Sequence, residues 1–133
     1  MLRDFGYWKA IGSLLDAYEK ETERDVKIAI LDALGWAISE GTVGYDPIPK
    51  EFYSSQDCLR AREKLIEVIK KEDDVELVKR AADALGYYYA YWEDGVEILE
   101  NLSRELDANP SKSPELSKVV WGIASDVRTT KFG

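Results

Sequence analysis

Two stretches of the chain carry nearly the same residues. Glu21 to Ile38 reads ETERDVKIAILDALGWAI, and Glu72 to Tyr89 reads EDDVELVKRAADALGYYY. They agree at Glu21/Glu72, Asp32/Asp83, Ala33/Ala84, Leu34/Leu85 and Gly35/Gly86, and place an aromatic ring at both Trp36 and Tyr87. A duplication at a spacing of about fifty residues narrows the possible folds sharply. It calls for stacked copies of one supersecondary unit rather than one irregular domain.

Hydrophobic spacing makes that unit helical. Trp8, Ile11, Leu14, Leu15 and Tyr18 recur at three- and four-residue steps and predict a helix over 5–20. The acidic turn Glu21–Arg24 leads into a second helix over 25–39, where Asp25 can meet free backbone N–H groups. A third helix is expected from Ser54 or Ser55 to Lys71, with Cys58, Leu59, Arg62, Leu65, Ile66 and Ile69 as its apolar stripe. Leu65, Ile66 and Ile69 fall in the register of Leu14, Leu15 and Tyr18, so the duplication covers a whole helix–turn–helix unit. Asp73 or Asp74 opens a fourth helix that runs to Trp92. A fifth is expected over 94–106 with Ile98, Leu99 and Leu102 on one side. Ser113 then caps a sixth, with Pro114 at its first position, Leu116, Val119, Val120 and Ile123 inward, and an end near Val127. Residues 128–133 are expected to be a frayed tail.

The expectation is an all-α, α-α superhelix of three stacked helix-turn-helix units in a single domain over 1–133. The units span about 4–40, 55–92 and 94–128. A long connection over 41–54 holds two glycines and two prolines within EGTVGYDPIPKEFYS, which rules out a continuous helix there. The third unit lacks the Ala-Leu-Gly signature, as terminal repeats often do.

The duplicated segment resembles a HEAT repeat, and more closely the short HEAT-like repeats related to phycobilisome-lyase proteins. Their second helix reads acidic turn, Val-Arg, alanines, then Ala-Leu-Gly. Asp25-Val26-Lys27 with Asp32-Ala33-Leu34-Gly35 carries the likeness in the first copy. Asp73-Asp74, Lys79-Arg80-Ala81-Ala82 and Asp83-Ala84-Leu85-Gly86 carry it in the second. The resemblance implies a concave surface lined by the second helix of each unit. The long first connection, and Leu77-Val78 where Val-Arg is usual, depart from strict solenoid geometry.

Composition removes several chemistries. The chain has no histidine, which excludes His-based triads, His-containing zinc sites and the Glu-x-x-His di-iron motif. The one cysteine, Cys58, sits on an apolar stripe and reads as a small core residue rather than a nucleophile. It also excludes an internal disulfide framework and fits a reducing, cytoplasmic setting. No Gly-rich phosphate loop is present. No catalytic residue, metal or cofactor is expected. The net charge of −8 opposes both nucleic-acid binding and adhesion to anionic membranes. Some HEAT-like proteins are DNA base glycosylases with a Trp/Asp/Arg set in a concave groove. This chain lacks the basic surroundings that role needs. The N-terminus has no signal-peptide pattern, and no apolar run is long enough to span a bilayer.

Projection of the second helices at about 100° per residue turns Val26, Ile30, Leu34 and Ala37 inward, together with Leu77, Ala81, Leu85 and Tyr88. Asp32 and Trp36 then share one flank, and Asp83 and Tyr87 repeat it. A carboxylate beside an exposed aromatic suits a protein partner bearing Lys or Arg, through ion pairing and cation–π contact. The competing expectation packs Trp36 and Tyr87 between units and leaves the aspartates solvated. The run Tyr87-Tyr88-Tyr89-Ala90-Tyr91-Trp92 has too many neighbouring rings for one helix face to bury. Tyr91 and Trp92 therefore join the candidate partner-binding residues. A homodimer seam and a small-ligand groove on an enzyme-accessory subunit both fit that cluster.

Overall fold

The computed structural model describes the backbone of residues 2–40, 56–87 and 95–132, and the side chains of 10–38, 56–86 and 96–129. These residues form six α-helices and no strand: α1 (Leu2–Lys20), α2 (Arg24–Glu40), α3 (Gln56–Lys71), α4 (Val75–Tyr87), α5 (Gly95–Ala108) and α6 (Pro114–Phe132). The all-α expectation is met. The expected fourth helix beyond Tyr87 and the connection over 41–54 lie outside the described residues.

Short polar turns end one helix and start the next. The Glu21 carboxylate accepts from the N–H groups of Thr22 at 3.1 Å and Glu23 at 3.0 Å. Asp74, one of two candidates, caps α4 by accepting from the Glu76 N–H at 3.0 Å. Ser113 Oγ accepts from the Glu115 N–H at 3.2 Å, with Pro114 opening α6. Each cap satisfies backbone donors that have no partner inside the helix.

The helices pair in chain order: α1 on α2, α3 on α4, α5 on α6. The second helices also lie against one another, α2 along α4 and α4 along α6, as do the first helices, α1 along α3 and α3 along α5. The inner faces supply one core, with Ile11, Leu15, Leu34, Leu65, Ile69, Leu85, Leu99 and Leu116 at most 1% exposed. Cys58 is part of it. Burying such a side chain contributes roughly 1.5–3 kcal/mol. Polar links tie the turn ends together. Arg24 pairs with Asp74 across the first two hairpins, and Lys112 Nζ reaches Asp73 at 2.9 Å and the carbonyl of Lys71 at 3.3 Å.

Three expectations need correction. Val26 is 43% exposed rather than inward, because the buried stripe of α2 is Ile30, Leu31, Leu34, Ala37 and Ile38, and Val26 lies at its edge in the first turn. Leu59 is 42% exposed, because the α3 core stripe is Cys58, Ala61, Leu65, Val68 and Ile69, and Leu59 falls a further ~100° round the helix. The tail is helical to Phe132 rather than frayed. Arg128 anchors it through Glu100, with contacts of 2.9 and 3.0 Å from Nη2 and 3.2 Å from Nε.

Candidate functional site

The second helices present the face on which the candidate residues fall. A hollow of about 290 Å³ lies between α2 and α4, and Asp32, Trp36 and Asp83 all line it. The structure thus brings together three of the six predicted residues from two different hairpins. Tyr87 closes α4, but its side chain, like Tyr91 and Trp92, lies outside the described residues. Trp36 is 55% exposed at the rim of this hollow.

The two aspartates, equivalent in sequence, have different surroundings. Both Asp32 oxygens accept from Arg80 Nη1 at 3.1 Å. Arg80 is shared, since its Nε donates to Glu76 Oε2 one turn back at 3.1 Å. Such a pair on a wet surface is worth about 0–1 kcal/mol, so it orients Asp32 more than it stabilises the fold. Asp83 is exposed on the rim of the hollow; partial desolvation of its carboxyl outweighs the favourable charges of Lys79 and Arg80, and Asp32 and Asp126 add repulsion. The Asp83 carboxyl is therefore held above the usual carboxylate range.

Sequence reasoning did not single out Arg80, yet it is the residue that closes the hollow. Two signals mark it: it lies one turn after Glu76, and it lies three residues before Asp83, the equivalent of Asp32 in the second copy. Gly35 forms part of the floor. Beyond α4 the face continues as an open groove of about 440 Å³ between α4 and α6, with Lys79, Lys118 and Asp126 on its walls.

Among the described residues, no group of three or more His, Cys, Asp or Glu side chains is placed to hold a metal ion, and no helix is long and apolar enough to cross a membrane. No family model, curated protein or solved structure matches the chain.

Proposed function

We propose that this protein is a non-catalytic interaction module, a small HEAT-like superhelix whose second helices display a recognition face for a protein partner bearing Lys or Arg. The observation that carries the reading is the α2/α4 hollow, where an exposed indole and an incompletely compensated carboxylate stand together. An incoming cationic side chain would gain an aromatic surface from Trp36 and a counter-charge from Asp83. Arg80 already engages Asp32, which leaves Asp83 as the principal acceptor.

The test is affinity capture from the source organism with wild-type protein and with Asp83→Lys, both checked for helicity. The reading expects one protein retained by the wild type and lost by the charge-reversed variant. That protein should bind the purified wild type at least tenfold more tightly than the variant. Equal binding by the two would overturn the assignment of the hollow.

A further inference from the structure

The second helices of the second and third hairpins begin on the same pattern. Glu76-Leu77-Val78-Lys79 stands near the start of α4, and Glu115-Leu116-Ser117-Lys118 near the start of α6. Leu77 and Leu116 are both buried, so Lys79 and Lys118 hold equivalent positions. Both lysines are exposed, and both line the α4/α6 groove. Among the described residues, neither lies within ion-pairing distance of a carboxylate, whereas Lys64, Lys70, Lys71 and Lys112 each do. Glu76, one turn before Lys79, pairs with Arg80 at 3.1 Å instead. Glu115 occupies the first turn of α6, where a carboxylate meets free backbone N–H groups.

The α6 wall of the groove is a regular stripe. Lys118, Gly122 and Asp126 follow one another at helical spacing, with half-buried Val119 and Ile123 beside them. Lys118 and Asp126 lie about 12 Å apart along the helix axis. The groove thus carries two cations at one end, an apolar floor, and a carboxylate at the other end. Gly122 breaks the pattern set by two other glycines. A Cβ on Gly86 would touch Val127 and Ile123, and one on Gly12 would meet Asp57, but one on Gly122 has nothing within 4 Å. A glycine inside a helix costs about 1 kcal/mol relative to alanine, and no described neighbour requires this one. Its missing side chain keeps the floor of the groove open to a group from outside.

We propose that the α4/α6 groove receives one amphipathic helix of a partner protein, with an acidic residue between Lys79 and Lys118 and a Lys or Arg two turns away at Asp126. The inference rests on the reading of the second helices as a recognition face, and it names what the partner carries besides a cation. A helix suits the groove because α4 and α6 flank it in one register. Residues seven or eight apart on the docked helix span the same ~12 Å as Lys118 and Asp126. Apolar side chains between those two charges cover Val119 and Ile123, and Gly122 admits close approach of the incoming backbone. A nucleic-acid strand fits poorly, since the two lysines share the groove with Glu76, Glu115 and Asp126.

The test is fluorescence anisotropy of the full chain at about 0.15 M salt with two labelled probe helices. Each probe has about 16 residues of leucine, alanine and glutamine, and is bridged on its outer face so that it is helical before binding. One carries a glutamate and, about two turns on, a lysine; the other carries lysine at both places. The account expects the first to bind with a Kd on the order of 100 µM or tighter, at least tenfold more tightly than the second. Lys79→Glu combined with Lys118→Glu should reverse that preference. Gly122→Leu should retain its helicity and weaken the first probe at least tenfold, because the new side chain fills the groove. Absence of saturable binding by the first probe at up to on the order of 1 mM overturns the proposal. So does equal affinity for the two probes, or a Gly122→Leu variant that binds as the wild type does. Failure of the hollow as a cation site would show instead in the Asp83→Lys capture, which uses no probe helix, so the two readings fail separately.

Discussion

The seam between α2 and α4 and the seam between α4 and α6 use equivalent positions and fill them differently. At the second, Gly86 is buried, and a Cβ added there would lie 3.2 Å from Val127 Cγ2 and 3.8 Å from Ile123 Cγ2. That contact is apolar and close. At the first, Gly35 borders a hollow whose far wall is Arg80 and Asp83. One duplicated glycine therefore serves two purposes, close packing at one seam and an opening beside charged groups at the other.

The largest effect should come from closing the tight seam. Gly86→Leu overpacks it and should cost about 1–3 kcal/mol, lowering the melting temperature by several degrees on the scale of a chain this size. Gly35→Ala should be neutral or stabilising by up to about 1 kcal/mol, because Gly35 borders the hollow and alanine is the better helix former. Equal losses at the two sites, measured by thermal denaturation, would erase the distinction between the seams.

The ion pairs rank next. Arg80→Met releases Asp32 and Glu76 and should cost no more than about 1 kcal/mol, with the difference shrinking as salt is added. At the turn end, the hydrogen bond from Arg24 holds the Asp74 carboxyl below its usual range, with its cap on Glu76 adding to this. A lowered folded-state pKa gives stability that is present above the unfolded value and is lost as pH falls through the folded one. Urea midpoints measured from pH 7 to pH 3 should therefore fall less steeply in Arg24→Ala than in the wild type.

Asp83 should show the smallest change, with the opposite sign. Its raised pKa means that the protonated form suits the fold better. Stability from this group is present below the unfolded pKa and is lost as pH rises through the folded one. Asp83→Asn should thus melt slightly higher than the wild type at pH 7, by at most about 0.5 kcal/mol, and match it in acid. A variant less stable at pH 7 would mean that the hollow favours the charge.

Much of this could be read from the residues because helix periodicity and the Asp-Ala-Leu-Gly signature report the same register. Asp32, Trp36 and Asp83 could be assigned to one flank for that reason. Arg80 was harder to see, since its role depends on α2 and α4 lying alongside each other, which no local pattern encodes. Val26 misled as well. Its apolar character fits a repeat interior, but it sits in the first turn of α2, at the edge of the buried stripe formed by Ile30, Leu31, Leu34, Ala37 and Ile38. The helical tail rests on Arg128 meeting Glu100 in the preceding helix, a contact invisible to a reading of residues 128–133 alone.

The most direct test is a double-mutant cycle at the tight seam, combining Gly86→Leu with Val127→Ala. Helices stacked in one register predict that the shortened Val127 makes room for the new leucine, so the double variant melts above Gly86→Leu alone. If the two losses simply add, Gly86 and Val127 do not meet, and the shared register of α4 and α6 is wrong.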